Sequence, residues 1–161
     1  MMKEIIMITG ASSGMGREFS MQIEKKYQVD EIWVIARRKE RLESLKEKLQ
    51  TKVKIFALDL TQKESFEIIQ EALFQEKPRV KALINCSGYG KLDHYENMSL
   101  ETIENMMNLN MLAVVKMVNT VLPYMHKESH IVNFASCSGY MPIPYLNIYA
   151  ASKAFVLNYS R

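Results

Sequence analysis

The sequence predicts an α/β fold, a doubly wound parallel sheet with helices on both faces and strand order 3-2-1-4-5. Short apolar runs alternate with amphipathic stretches along all 161 residues. Most of those runs are nearly continuous in apolar residues, as strands buried on both faces must be. A glycine-rich turn separates the first run from the first amphipathic stretch.

The strands are expected at 4–8, 31–36, 53–58, 80–85 and 130–135. Helices are expected at 14–26, 39–49, 65–75 and 100–125, with a last one from near Ile148. This βαβα alternation requires right-handed crossovers. Pro123 should kink or end the fourth helix, because proline lacks the N–H that a helix interior needs. Segments 88–97 and 139–147 read as loops, the second broken by Pro142 and Pro144. No internal repeat or interdomain linker is visible, so residues 1–161 read as a single domain.

Hydrophobic residues at 48% and charged residues at 24% suit a soluble globular protein. A net charge of +3, with no basic block, argues against nucleic acid and against a membrane surface. Lys39, Arg41, Lys46 and Lys48 lie among Glu40, Glu43 and Glu47 and read as a solvated helix face. Cys86 and Cys137 have neither disulfide nor metal-ligand spacing, so a reducing, cytoplasmic setting is the default. His94, His126 and His130 share no spacing, and no metal site is expected.

The chemistry begins at Thr9-Gly10-Ala11-Ser12-Ser13-Gly14-Met15-Gly16. Glycines after a strand and before a helix allow a tight turn and a close backbone approach to a pyrophosphate. The helix N-terminus adds free N–H groups. This makes the domain Rossmann-like and NAD(P)-binding, with Gly10, Ser12, Ser13, Gly14, Met15 and Gly16 around the cofactor. A glycine-rich turn without a ligand is the plainer reading. After the second strand comes Ala36-Arg37-Arg38, with no carboxylate to hold a ribose 2′-hydroxyl. Arg37, Arg38 and Arg17 could instead grip a 2′-phosphate, which favours NADP(H) over NAD(H). Asp59, with Leu60 beside it, fits either a contact to an adenine edge or a local turn ahead of Thr61. Asn85 and Gly88 end the fourth strand, where the backbone must pass close to a cofactor.

Tyr149 and Lys153 are four residues apart and share a helix face. A nearby ammonium favours a phenolate, which suits a general acid/base. Ser136 follows the fifth strand, where sites in open α/β sheets gather, and its hydroxyl could hold a carbonyl oxygen. Asn110 falls on the apolar face of its helix, where an amide must find partners, for structure or for function. Tyr95, Met141, Ile143 and Tyr145 suggest an apolar substrate pocket or simple loop packing.

Together these motifs resemble the short-chain dehydrogenase/reductase family, over the whole chain. The resemblance implies a catalytic tetrad of Asn110, Ser136, Tyr149 and Lys153, with Tyr149 protonating a carbonyl as hydride arrives from NADP(H). It implies that Ser136 orients the carbonyl and that Lys153 holds the nicotinamide ribose. Asn110 would anchor a water in the proton relay. The implied function is an NADP(H)-dependent oxidoreductase that interconverts a carbonyl and an alcohol. The usual Asn-Asn-Ala-Gly reads Asn85-Cys86-Ser87-Gly88 here. Family members also continue past Arg161, so the domain is expected to be incomplete at its C-terminal end. The fifth strand would then be an open apolar edge that invites association. A homo-oligomer through the 100–125 and final helices is expected. A truncated, non-catalytic dinucleotide-binding or interaction module is the alternative.

Overall fold

The computed structural model describes residues 2–141 and 143–161. Five parallel strands form one sheet in the order β3-β2-β1-β4-β5. They are β1 (Glu4–Thr9), β2 (Glu31–Ala36), β3 (Val53–Ala57), β4 (Arg79–Asn85) and β5 (Met125–Asn133). Every residue of β2 is buried, and so is all of β1 after Glu4. The continuous apolar runs of the sequence are therefore central strands covered on both sides.

Three helices follow the first three strands: α1 (Gly14–Lys26), α2 (Lys39–Lys46) and α3 (Lys63–Glu76). Ile6, Ile8, Ile32 and Val34 meet Ile23 of α1 and Leu42 and Leu45 of α2 on one face. Ile5, Met7, Trp33 and Leu83 meet Phe66, Ile69 and Leu73 of α3 on the other. Met117 and Val121 of the fifth helix complete that second face.

The helix expected at 100–125 is one helical run of several pitches. It comprises α4 (Leu100–Met107), a π-helical turn (Asn108–Leu112), α5 (Ala113–Val121) and a 3₁₀ turn (Leu122–Tyr124). Ser99 caps its start by accepting from the Thr102 N–H at 3.3 Å. Pro123 sits in the closing 3₁₀ turn, which ends the helix directly before β5. Pro142 lies outside the described residues. The last helix, α6, is Asn147–Tyr159.

The strand expected at 130–135 is shifted towards the N-terminus. It starts at Met125 because Ser129 bridges a bulge, accepting from His126 N–H at 2.9 Å and donating to the Val80 carbonyl at 2.6 Å. The pairing register jumps there, from Val80 with Met125 to Ala82 with His130. The strand stops at Asn133, and the next carbonyl, that of Phe134, is taken by Lys153 Nζ at 2.6 Å. Ser136 therefore follows the strand by a short extended stretch. β5 is the edge strand, with Ile131 and Val132 each 37% exposed.

The N-terminal end of the sheet is closed by charge. Glu31 is 3% exposed, yet it accepts from Trp33 Nε1 at 2.7 Å and pairs with Lys3 and with Lys52, the latter at 3.2 Å. Lys3 also reaches Glu76 at 2.5 Å, and Lys54 pairs with the same carboxylate. Burial pushes both carboxyls up, but the hydrogen bonds from Lys3, Trp33 and Lys52 outweigh it at Glu31. Those from Lys3 and Lys54 do the same at Glu76, so both lie below the ordinary carboxylate value. A carboxyl whose folded pKa is depressed contributes stability above its unfolded value, and that contribution is lost as pH falls. The urea midpoint should hold between pH 7 and 5 and drop below about pH 4.3, the unfolded glutamate value. Glu31→Gln should flatten that drop in the same titration.

Candidate active site

The strand order reverses between β1 and β4, and the crevice of an open α/β sheet opens at such a point. A cavity of about 290 Å³ lies there. Its floor is the turn that carries the chain from β1 into α1. Gly10 has φ +68° and Gly14 φ +54°, angles that a side chain resists. A β-carbon on Gly10 would fall 2.7 Å from the Cys86 carbonyl carbon, and one on Gly16 would fall 2.5 Å from the Gly10 oxygen. These two glycines let β1, β4 and α1 close on one another. The first turn of α1 holds no acidic residue, so its N–H dipoles face the cavity uncompensated.

Of the residues expected at a cofactor, Gly10, Ser12, Ser13, Gly14, Met15, Gly16, Arg37, Arg38, Asp59, Leu60 and Gly88 all line this cavity. Arg38 reaches back over the turn, its Nη2 donating to Ser12 Oγ at 3.1 Å and to Ser13 Oγ at 2.9 Å. Arg37 stands 3.8 Å from Asp59. Asp59 Oδ1 accepts from the Thr61 N–H at 2.9 Å and its hydroxyl at 2.8 Å. Asp59 thus makes the local turn and lines the cavity at once. Arg17 does not line the cavity. Its guanidinium donates to the Arg41 carbonyl at 3.1 Å and to Ser44 Oγ at 3.3 Å, which anchors α1 to α2. Asn85 does not line the cavity; it is buried and donates to Asn133 Oδ1 at 2.9 Å, while its own Oδ1 has no partner among the described residues.

Cys86 and Ser87, the departure from the usual Asn-Asn-Ala-Gly, line the cavity as well, and so do Ala36, Leu58, Tyr89 and Leu109, which had not been singled out in the sequence. Each adjoins a strand end or glycine that was, except Leu109, whose place depends on the π turn.

Of the four residues implied by the resemblance, Asn110 and Lys153 lie beside Gly88. A β-carbon on Gly88 would lie 3.0 Å from Asn110 Oδ1 and 3.5 Å from Lys153 Nζ. Asn110 is fully buried within the π turn. It accepts from the Tyr89 N–H at 3.0 Å and donates to the Tyr89 carbonyl at 2.9 Å and to Ser152 Oγ at 3.0 Å. Ser152, 1% exposed, donates in turn to the Tyr149 carbonyl at 2.7 Å. Lys153 Nζ lies 5.8 Å from the centre of the Tyr149 ring. Burial pushes the Lys153 pKa below its ordinary value, against a smaller opposing pull from Cys86. Ser136 caps a 3₁₀ turn (Cys137–Gly139), its Oγ accepting from the Ser138 N–H at 3.2 Å and from Ser138 Oγ at 2.9 Å.

The family model for short chain dehydrogenases matches residues 4–161. The chain belongs to the short-chain dehydrogenase family. The chain is 34% identical over 162 residues to a 3-ketodihydrosphingosine reductase of Bacteroides thetaiotaomicron, covering 99% of this chain and 57% of that protein. It is 32% identical to an NADP-dependent 3-hydroxy acid dehydrogenase of Escherichia coli, over 97% of this chain and 63% of the relative. Among solved structures, the closed form of a serine dehydrogenase complexed with NADP+ superposes with a TM-score of 0.87 at 30% identity, covering 97% of this chain and 63% of that one. A short-chain dehydrogenase from Sphingobium yanoikuyae in complex with NADPH superposes with a TM-score of 0.85 at 29% identity, covering 98% and 63%. The chain therefore spans roughly three fifths of the proteins it matches.

The two thiols of the chain differ sharply. Burial pushes Cys86 up to about 12, with a smaller opposing effect from Lys153, whereas Cys137 is exposed. Because the thiolate is the reactive form, iodoacetamide at pH 8 should add one label, at Cys137. Peptide mass mapping of the native chain reads this directly, and label on Cys86 should appear only after unfolding.

Proposed function

We propose that this chain carries the cofactor site and catalytic groups of an NADP(H)-dependent oxidoreductase that interconverts a carbonyl and an alcohol. One observation carries the reading. Gly88, a glycine of the cavity wall, is also the residue against which Asn110 and Lys153 converge, which supports a site shared by the cavity and those two side chains.

The residues present suit a dinucleotide. Gly10 and Gly16 let β1, β4 and α1 close around the cavity, Gly14 opens onto free space with nothing within 4 Å of a β-carbon there, and α1 points its N-terminus into it. Arg38, held by Ser12 and Ser13, and Arg37, paired only loosely with Asp59, would hold a 2′-phosphate. Arg17, engaged with α2, would have to leave Arg41 and Ser44 to join them. The relatives whose names specify NADP or NADPH support the same preference. When bound, the cofactor supplies or accepts the hydride.

The chain's own residues would do the rest. The Tyr149 phenol gives its proton to the carbonyl oxygen, and Ser136 Oγ orients that oxygen. Lys153, buried with its Nζ 5.8 Å from the Tyr149 ring centre, would reach the nicotinamide ribose. Asn110 holds the loop and the helix in register and would anchor a relay water. A small carbonyl or alcohol would approach between the loops containing Tyr95 and Tyr145, where exposed Leu92, Tyr140 and Met141 offer apolar surface. Exposed Leu100, Met107, Leu112, Phe155 and Tyr159 on α4 to α6 suit a homo-oligomer interface.

A fluorescence titration with NADPH and NADH, followed by turnover on a panel of carbonyls, tests this reading. NADPH should bind more tightly than NADH. Arg38→Glu should weaken NADPH by about 10- to 100-fold, the loss of one charged hydrogen-bond partner of about 1.5–3 kcal/mol. Tyr149→Phe should keep NADPH binding and abolish turnover. Equal affinity for both cofactors would overturn the NADP(H) preference, and binding without turnover would leave a nucleotide-binding module.

A further inference from the structure

A glycine in a loop serves a backbone angle or leaves room for a neighbour. Among the described glycines only Gly10 and Gly14 adopt the left-handed angles that favour glycine, so Gly90 is not there for its backbone. It leaves room. A β-carbon on Gly90 would lie 3.0 Å from both Cγ and Cδ2 of Tyr149 and 3.5 Å from its Cβ. Carbon atoms rest at about 3.5–4.0 Å, so the Tyr149 ring is seated against the bare α-carbon of Gly90.

Neither side can easily retreat. Tyr89, next to Gly90, is fixed through both its N–H and its carbonyl by Asn110. The helix turn that carries Tyr149 is fixed through its carbonyl by Ser152, and Ser152 is bonded to the same Asn110. Loop and helix are thus pinned to one buried pair, Asn110 and Ser152, both at most 1% exposed. Crowding at Gly90 must be relieved by turning the ring itself. We propose that Gly90 is a positioning residue: its missing side chain sets where the Tyr149 phenol points. This rests on the reading of Tyr149 as the proton donor, but the placement of the ring can be measured without it.

The test is Gly90→Ala, read in two ways. The chain contains eight tyrosines, so ¹³C labelling of tyrosine rings, with Tyr149→Phe to assign the signal, follows Tyr149 directly. The Tyr149 resonances should move, while those of tyrosines remote from the loop stay in place. In turnover, kcat should fall about tenfold, since even a 1 Å misplacement can cost about 100-fold, while NADPH affinity stays within about twofold. Added to Tyr149→Phe, the same change should have no further effect on any residual rate, because the hydroxyl it misplaces is already gone. Unmoved Tyr149 resonances in a folded Gly90→Ala protein would overturn the proposal, as would an equal loss of rate with and without the Tyr149 hydroxyl. If the wild-type chain shows no turnover, the proposed function fails while the ring resonances still decide the role of Gly90. If Gly90→Ala does not fold, the double variant with Tyr149→Ala should restore folding, and failure to do so would equally overturn it.

Discussion

The buried amide of Asn110 is the interaction on which the site depends. An amide in a helix interior with no solvent access must satisfy its donors and acceptor inside the protein. Asn110 does so with groups from two other elements, the backbone of Tyr89 after β4 and the hydroxyl of Ser152 in α6. Hydrogen bonds of this kind are directional, so they fix orientation where apolar packing would leave freedom. Through them, one side chain sets the spacing between the strand end that lines the cavity and the helix that carries Tyr149 and Lys153.

The two ends of the sheet differ in how their charged groups are paired. At the N-terminal end, the Glu31 and Glu76 carboxylates are each engaged by two cations, and Glu31 by the Trp33 indole as well, although the buried Arg79 Nε at the start of β4 has no partner among the described residues. At the C-terminal end, polar groups are left with capacity. The α1 N-terminus has no acidic cap, Arg38 rests on neutral hydroxyls, and Asn85 keeps an oxygen without a donor among the described residues. An exposed arginine held by serines, or standing 3.8 Å from a partly exposed aspartate, gives up its partner at small cost.

Most of the fold was legible because its signals are local and periodic. Buried strands in the centre of a parallel sheet write themselves as unbroken apolar runs, and the glycine turn names the switch point. The fifth strand was misplaced because its first half is polar, with His126, Lys127, Glu128 and Ser129 in a bulge that no alternation rule detects. The π turn was invisible for a different reason: Asn108–Leu112 has ordinary helical composition, and its extra residue is accommodated by tertiary contacts. Arg17 was read from its nearness in sequence to the glycine motif, but a helix turns its side chain away from the cavity towards α2. Ser152 went unremarked between Tyr149 and Lys153, since nothing in the sequence says that a serine there will meet an amide 42 positions earlier.

The π turn also bears on how the chain can change its length. An α-helix turns by about 100° for each residue. Adding or removing one residue between the Ser99 cap and Asn110 would swing the amide to another face of the helix and sever three elements at once. Deleting one residue inside the turn would restore regular α-helix but rotate Leu100–Met107 against Ala113–Val121, so only one of the two could keep its seat. The stretch from Ser99 to Val121 therefore acts as a ruler whose residue count is fixed even where its surface chemistry is free. Insertions and deletions should accumulate instead in the loop that follows Gly90, where no comparable register has to be kept.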